Sequence, residues 1–167
     1  MKDRPIPVSA PKQLPIALKG AAKTGVRSQF AALCFRIRKG APEILLITSR
    51  GSQRWIIPKG WPIRGMASSQ VALREAWEEA GVSGTGSSSK PVGSYDYQKT
   101  MGSGLPVPVE TLVYPVEVND LAADFPEAGQ RKRRWTTPLE AANLVDEPEL
   151  KSILRFLDRD KKTNSLI

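Results

Sequence analysis

The 167-residue sequence has no histidine, only one cysteine and no long run of apolar residues. Without histidine, the chain has no imidazole base and no cluster of histidine and cysteine ligands for zinc. The single cysteine, Cys34, excludes an internal disulfide and indicates a reducing compartment. No segment of about 18 apolar residues is present, and the first residues lack the apolar core of a signal peptide. We therefore expect a cytoplasmic protein without a membrane partner.

Basic residues outnumber acidic ones, with 25 lysines and arginines against 17 aspartates and glutamates and a formal net charge of +8. This balance favours polyanionic partners, either phosphorylated small molecules or nucleic acid. The length suits one domain. We expect a flexible, basic, proline-containing arm over residues 1–26, a globular domain over residues 27–162 and a polar tail over residues 163–167. The oligomeric state stays open between monomer and homodimer.

A helix that carries three glutamates is predicted over residues 69–80, followed by Gly81 as its C-terminal cap. At 3.6 residues per turn, the side chains of Glu75, Glu78 and Glu79 share one face of this helix. Like charges at this spacing repel each other, so the arrangement favours a cation among them. Carboxylate oxygens are hard ligands, which indicates Mg2+ or Mn2+ rather than zinc.

Alternating apolar and polar residues predict strands on both sides of this helix. We expect them over residues 29–38, 43–49, 55–58, 91–98 and 107–118. Pro115 in the last strand predicts an edge position or a bulge. The glycine- and serine-rich residues 83–89 are expected to form a flexible connection. A helix start is predicted at Thr137 and a final amphipathic helix from Glu147 to about Lys161. This order favours a mixed sheet with packed helices, in the α+β or α/β class.

Residues 60–82 resemble the signature of the Nudix hydrolases, which reads G-x5-E-x7-R-E-U-x-E-E-x-G-U with U a bulky apolar residue. Ala76 is a small residue at the first apolar position, and Met66 stands where the family has its first glutamate. The residues that fall at the specified spacing are Gly60, Arg74, Glu75, Glu78, Glu79, Gly81 and Val82. The resemblance implies the αβα sandwich of this family, with a mixed sheet between the signature helix and the C-terminal helix.

The resemblance also implies roles for individual residues. Glu75 and Glu79 would be catalytic together with Arg74, which would position Glu75. The metal ion, Mg2+ or Mn2+, would be held by the carbonyl of Gly60 and by Glu75, Glu78 and Glu79. Because the chain offers neither a histidine base nor a credible covalent nucleophile, water would attack a diphosphate linkage in the substrate.

Three further stretches, residues 33–36, 54–60 and 131–135, are similar to the diphosphoinositol polyphosphate phosphohydrolases, a Nudix subgroup that also cleaves dinucleoside polyphosphates. In that subgroup, basic side chains hold the multiply phosphorylated substrate, and a planar guanidinium can grip phosphate through two bonds. The corresponding candidates here are Arg36, Arg38, Arg50, Arg54, Lys59 and Arg133. Relatives sometimes place a further metal-binding or proton-accepting carboxylate on a later strand, which makes Glu110 a possible additional base.

Two other functions remain open at this point. The basic surface could direct the same chemistry to the 5′-triphosphate end of RNA. Alternatively, Met66 could mark a Nudix domain that binds a nucleotide or polyphosphate without cleaving it. For the enzyme interpretation, diphosphoinositol polyphosphates and dinucleoside polyphosphates are equally plausible substrates.

Overall fold

A computed structural model describes residues 27–86, 88–100, 102 and 104–159. The predicted arm over residues 1–26 and the tail over residues 163–167 lie outside this part of the chain. The strands are β1 (Arg27–Arg38), β2 (Ala41–Thr48), β3 (Trp55–Ile56), β4 (Lys59–Gly60), β5 (Val82–Gly86), β6 (Gly93–Thr100), β7 (Pro106–Leu121) and β8 (Arg133–Thr136). The helices are α1 (Ser68–Ala80), α2 (Pro138–Leu144) and α3 (Pro148–Arg159).

The eight strands form one sheet with the order β3-β2-β1-β7-β5, to which β4 is added beside β1, β6 beside β7 and β8 beside β2. β1 and β7 run parallel, whereas the other pairs are antiparallel. The predicted mixed sheet is therefore confirmed. A two-residue turn connects β1 to β2. Its residues, Lys39 and Gly40, have φ angles of 53° and 77°. Turns with two such residues match the twist of paired strands.

The position of Pro115 corrects the predicted edge strand. β7 pairs with β1 on one side and with β6 and β5 on the other, so it lies inside the sheet. The pairing with β6 ends at Val113 and the pairing with β5 begins at Val116. A proline cannot donate to the ladder of hydrogen bonds, and here it is accommodated where the partner strand changes.

The glycine-rich segment after α1 also differs from its prediction. Residues 82–86 form β5, which pairs with β7 and has an irregular register between Ser83 and Gly84. A Cβ atom at Gly84 would lie 2.4 Å from the carbonyl oxygen of Glu117. Glycine is therefore used here for close approach of two strands rather than for flexibility, and the predicted flexible connection was wrong for this part.

Two apolar cores cover the two faces of the sheet. Alternate residues of β1 point to opposite faces, because side chains in a strand alternate. Ala31, Leu33 and Phe35 pack with α2 and α3, and the buried α3 residues are Leu150, Leu154 and Leu157. Ala32 and Cys34 pack on the other face with Ala72, Ala76 and Ala80 of α1. This arrangement confirms the predicted αβα sandwich.

The ends of the helices follow the local sequence signals. α1 ends at Gly81, which has the predicted left-handed conformation with φ 70°. α2 begins with a capping box between Thr137 and Glu140. Of the helices in the described part of the chain, none is long and apolar enough to span a membrane.

Candidate active site

The site forms where α1 crosses the short strand β4. β4 pairs with β1, which places Gly60 opposite Phe30. A Cβ atom at Gly60 would lie 2.3 Å from Oε2 of Glu75. Only glycine allows this approach, so the carboxylate of Glu75 rests directly on the backbone at Gly60. The spacing of Gly60 and Glu75 in the sequence thus corresponds to a close contact between these two residues in the fold.

Glu79 lies one helical turn after Glu75 and is 8% exposed. Its Oε1 accepts a hydrogen bond from the backbone N–H of Lys59 at 3.3 Å. Its Oε2 is 3.5 Å from Nη2 of Arg131, whose side chain is buried as well. The negative charge of Glu79 also acts on Glu75, which lies beside it. α1 and β4 therefore bring two largely buried carboxylates into contact.

The two carboxylates are stabilised in their protonated forms. Burial, together with the negative charges of Glu79 and Glu78, raises the pKa of Glu75 to about 9. Burial also raises the pKa of Glu79, although the positive charges of Arg131 and Lys59 oppose this effect. Ionising both acids in such an environment is unfavourable unless a further cation lies beside them. The chemistry of this pair therefore suits a divalent metal ion.

This pair predicts a pH dependence of stability in the metal-free protein. Because the pKa of Glu75 rises from 4.5 to about 9 on folding, its stabilising contribution is present below about pH 4.5 and is lost as the pH rises through about 9. In the presence of EDTA, the thermal midpoint of the wild type should fall by several degrees between about pH 5 and about pH 9. Glu75→Gln should flatten this dependence. A wild-type midpoint that rises steadily over this range would contradict the assignment.

Glu78 forms an ion pair with Arg74. Nε of Arg74 donates to Oε2 of Glu78 at 2.9 Å, which corrects the expected pairing of Arg74 with Glu75. Within the described residues, no group of three or more histidine, cysteine, aspartate or glutamate side chains could hold a metal ion. The donors that remain are the carboxylates of Glu75 and Glu79 and the backbone carbonyl of Gly60. These are all oxygen atoms, as Mg2+ and Mn2+ prefer.

A cleft of about 440 Å3 opens beside the two carboxylates. Three of its residues, Arg50, Lys59 and Lys99, carry positive charges and form no ion pair with another described residue. Trp61 adds an aromatic ring. The complete lining is Gln29, Ser49, Arg50, Gly51, Ile56, Lys59, Gly60, Trp61, Glu75, Glu79, Lys99 and Arg131. The cleft therefore combines acidic side chains on one wall with basic ones around it.

Lys59 is held in the cleft by its neighbours. Its Nζ lies 5.2 Å from the centre of the Tyr97 ring, and the hydroxyl of Tyr97 donates to Oε1 of Gln29. Burial lowers the pKa of Lys59 to about 8, while the negative charge of Glu79 opposes the shift. A positive charge in this position is poorly solvated and would be stabilised by a bound anion.

The structure brings only Arg50 and Lys59 of the predicted phosphate-binding residues to the cleft. Arg36 forms an ion pair with Glu43 at 2.7 Å and lies 3.9 Å from the centre of the Trp135 ring. Arg38 is exposed at the far end of β1, beside the turn to β2. The cleft lies at the beginning of β1, where Gln29 lines it, so the length of the strand separates both arginines from it.

Arg54 and Arg133 are engaged with other parts of the fold. Nη1 of Arg54 is 3.1 Å from Oε2 of Glu147 and 3.4 Å from Oδ2 of Asp146. Nη1 of Arg133 donates to the carbonyl oxygens of Ala80 and Ala122, both at 2.9 Å. The contact with Ala80 satisfies a carbonyl group at the end of α1, and the contact with Ala122 ties this helix end to the residue after β7. The predicted role in substrate binding is therefore not supported by the positions of these side chains.

One predicted residue, Glu110, lies outside the cleft, and three residues that line the cleft were not predicted from the sequence. Glu110 is exposed on β7, opposite Ser28 of β1, and does not line the cleft. Sequence reasoning missed Gln29, Lys99 and Arg131. Arg131 belongs to the basic run before Trp135, and only its contact with Glu79, which is distant in sequence, distinguishes it from its neighbours.

The NUDIX domain model matches residues 27–157 of this chain. The chain belongs to the Nudix family. Diphosphoinositol polyphosphate phosphohydrolase 3-beta from Homo sapiens is 30% identical over 113 residues, which cover 66% of this chain and 64% of that protein. Diphosphoinositol polyphosphate phosphohydrolase 2 from Mus musculus is 29% identical over 115 residues, which cover 68% of this chain and 59% of that protein. The match thus spans less than two thirds of the length of these relatives.

Solved Nudix structures share the fold. An Ap4A hydrolase from C. elegans superposes with a TM-score of 0.57 at 22% identity, and the match covers 85% of this chain and 99% of that one. A NUDIX hydrolase from Nitrosomonas europaea gives a TM-score of 0.60 at 18% identity, with 81% of this chain and 90% of that one covered. At such identities the likeness supports the architecture alone.

This Nudix domain departs from the signature at Met66, in the loop before α1. Met66 is partly buried, and its N–H donates to the carbonyl oxygen of Ile63 at 3.0 Å. The preceding Gly65 has φ 79°, which closes the turn. A thioether is a poor ligand for hard cations such as Mg2+. Met66 therefore does not replace the oxygen donor that the signature has at this place.

Proposed function

We propose that this Nudix domain hydrolyses a diphosphate linkage in a small polyphosphate, with Mg2+ or Mn2+ as cofactor and water as the nucleophile. The observation that carries this proposal is the pair formed by the buried Glu79 and the partly buried Glu75, set against Gly60 at the wall of a cationic cleft. The pair offers oxygen ligands to a divalent ion, and the cleft offers positive charges to phosphate groups. The two features meet in one place, as hydrolysis of a phosphoanhydride requires.

In this proposal, different residues of the chain bind the metal ion, accept the proton and bind the phosphate groups. Glu75, Glu79 and the carbonyl of Gly60 would hold the metal ion, which supplies Lewis acidity and lowers the pKa of water when bound. The carboxylate pair accepts the proton that the attacking water loses. Arg50, Lys59 and Lys99 bind the phosphates and stabilise their negative charge. Cys34 takes no part, because it is fully buried and burial raises its pKa to about 12.

The cleft favours a dinucleoside polyphosphate as substrate. Its three cations that form no ion pair within the described residues suit a short chain of phosphates, whereas a heavily phosphorylated inositol ring carries more negative charge than they can offset. Trp61 offers a ring on which a base can stack. Diphosphoinositol polyphosphates are the second candidate, because the curated relatives described above carry that substrate in their names.

Substrate comparison tests this choice. We expect a higher kcat/KM for diadenosine tetraphosphate than for a diphosphoinositol polyphosphate. Trp61→Ala should lower kcat/KM for the dinucleotide by about tenfold, since stacking of one base contributes roughly 1–3 kcal/mol. It should leave hydrolysis of the inositol compound nearly unchanged. Trp77→Ala is the matched control, because Trp77 is 38% exposed on α1 and does not line the cleft.

Three results would contradict the choice. Faster turnover of the diphosphoinositol polyphosphate, unaffected by Trp61→Ala, would favour the second candidate. Preference for 5′-triphosphate RNA in the same assay would support the alternative in which the basic surface binds nucleic acid. Tight binding of nucleotides without turnover would identify a binding domain whose activity is lost together with the glutamate at position 66.

A further inference from the structure

Residues 49–54 form the loop between β2 and β3, and part of this loop is a wall of the cleft. Ser49, Arg50 and Gly51 line the cleft, so the position of the Arg50 guanidinium depends on the path of the loop. The N–H of Ser49 donates to the carbonyl oxygen of Arg54 at 2.8 Å. The N–H of Arg54 donates to Oγ of Ser49 at 2.9 Å. These two hydrogen bonds close the base of the loop.

The loop contains a strained residue next to a long-range ion pair. Gln53 has φ 58°, in the left-handed region that residues other than glycine rarely adopt. Such a conformation persists only where the surrounding structure holds it. Nη1 of the next residue, Arg54, is 3.1 Å from Oε2 of Glu147 and 3.4 Å from Oδ2 of Asp146. Both acids lie between α2 and α3, so Arg54 ties the loop to the junction of these helices.

Glu147 is a firm partner for Arg54. Its side chain is largely buried, and its carbonyl oxygen accepts a hydrogen bond from the N–H of Lys151 in the first turn of α3 at 3.0 Å. Its Oε1 is buried without a hydrogen-bond partner among the described residues. The carboxylate therefore relies on the guanidinium at Oε2, because a buried carboxylate that loses its partner is strongly destabilised. This demand keeps the guanidinium of Arg54 at Glu147 and out of the cleft.

Arg50, in contrast, depends on the loop for its position. Its Nη1 donates to Oε1 of Gln130 at 3.4 Å, a long hydrogen bond in an exposed place. It forms no ion pair with another residue in the described part of the chain. A guanidinium that grips phosphate through two bonds needs a defined orientation. A fixed loop provides this orientation in advance, so less conformational freedom is lost when phosphate binds.

We propose that the ion pair between Arg54 and Glu147 anchors this loop and thereby places Arg50 for contact with the phosphates of the substrate. This role rests on the proposed function, since it requires that the cleft binds phosphate groups. Arg54 and Glu147 are positioning residues, because neither lines the cleft and both act through Arg50. An ion pair between residues 93 positions apart thus connects the α2–α3 junction to the wall of the cleft.

The affinity for inorganic tripolyphosphate, measured by calorimetry in EDTA, tests this role without turnover. Arg54→Gln and Glu147→Gln should each raise the Kd about fivefold, because a loop that holds Arg50 in place for a smaller fraction of the time binds more weakly in proportion. Arg50→Gln should raise the Kd at least as much, and adding Arg54→Gln to it should have little further effect. Arg36→Gln is the control, since it breaks the ion pair with Glu43 far from the cleft and should leave the Kd unchanged.

The direction of the Glu147→Gln effect separates an anchor from two simpler roles. If Arg54 touched phosphate itself, Glu147→Gln would release it and tighten binding. If the two side chains acted only through their charges, the two substitutions would shift the Kd in opposite directions, because they remove charges of opposite sign. Weaker binding in both single variants is expected only if the ion pair positions the loop.

Unchanged or tighter binding in either folded variant would overturn the proposal, as would a further fivefold loss when Arg54→Gln is added to Arg50→Gln. Circular dichroism identifies a variant that does not fold. Should one of the two fail to fold, the other decides, alone and in the Arg50→Gln background. Failure of the wild type to bind tripolyphosphate would overturn the phosphate cleft and the anchor together.

Turnover of diadenosine tetraphosphate gives a second measurement. Arg54→Gln and Glu147→Gln should raise KM and leave kcat nearly unchanged, because they weaken phosphate binding without touching the reacting atoms. A loss of kcat at unchanged KM would overturn the anchor. Absence of turnover in the wild type, with the expected pattern of tripolyphosphate affinities, would refute the proposed activity and support the anchor.

Discussion

Replacing Glu79 by glutamine is expected to reduce metal-dependent hydrolysis by about a thousandfold while leaving the fold intact. Glutamine has nearly the same size, so it can keep the contact with the N–H of Lys59 through its amide oxygen. It cannot supply the negative charge that a divalent ion needs, nor accept a proton at the same site. The measurement is kcat/KM at saturating Mg2+, with the thermal midpoint as the test of folding.

Two matched variants are the controls for Glu79→Gln, because each replaces another glutamate by glutamine. Glu78→Gln should cost much less activity, because Glu78 is paired with Arg74 and does not line the cleft. Glu110→Gln should behave as wild type, because Glu110 is exposed and outside the cleft. Unchanged activity in Glu79→Gln, or a larger loss in Glu110→Gln, would refute the assignment of Glu79 and restore Glu110 as a candidate base.

Replacing Gly60 by alanine should remove most activity without unfolding the domain. The new Cβ would lie 2.3 Å from Oε2 and 2.4 Å from Cδ of Glu75, so the end of that side chain must move. Because these atoms belong to a side chain rather than to backbone, the movement costs little stability. Misplacement of a catalytic group by about 1 Å can lower the rate about a hundredfold, and a loss of this size is expected here.

Gly51→Ala is the control for this variant. Gly51 lines the same cleft, and a Cβ atom there would meet nothing within 4 Å. We expect Gly51→Ala to keep wild-type activity and Mn2+ affinity, whereas Gly60→Ala loses both. Equal activity of the two variants would show that the position of Glu75 against Gly60 is not needed for the reaction.

The elements that carry strong local signals were predictable from the sequence. α1 follows from a run of helix-forming residues that ends at a glycine, and its left-handed cap depends only on that glycine. The two faces of β1 follow from the alternation of side chains in a strand, and the two cores lie on those faces. The capping box of α2 needs only Thr137 and Glu140. In each case the deciding interaction is close in sequence.

The strands after α1 were less predictable, because their partners are distant. β5 is rich in glycine and serine, so its own sequence does not predict a strand. It forms one because it pairs with β7, and Gly84 of β5 allows the close approach of the two backbones. Pro115 is normally a sign of an edge, but its effect depends on where β6 ends and β5 begins. Local propensity is a weak guide when tertiary pairing decides the structure.

The acidic half of the site was predictable, whereas of the basic half only Arg50 and Lys59 were. Spacing along one helix placed Glu75 and Glu79 together, whereas the arginines are sorted by contacts between residues far apart in the chain. Arg54 is drawn to Glu147, 93 positions away, and Arg131 rather than Arg133 reaches Glu79. Nothing in the basic run distinguishes these two arginines before the fold is known.

The most direct test of the central claim is release of nucleotide from diadenosine tetraphosphate by the wild-type chain, with Mg2+ and after its removal with EDTA. The account predicts turnover with the metal ion, loss of turnover on chelation and recovery when Mg2+ or Mn2+ is added back. Turnover that persists in EDTA would contradict a mechanism based on Glu75, Glu79 and a divalent cation. Absence of turnover with every polyphosphate and every metal ion would contradict hydrolysis itself.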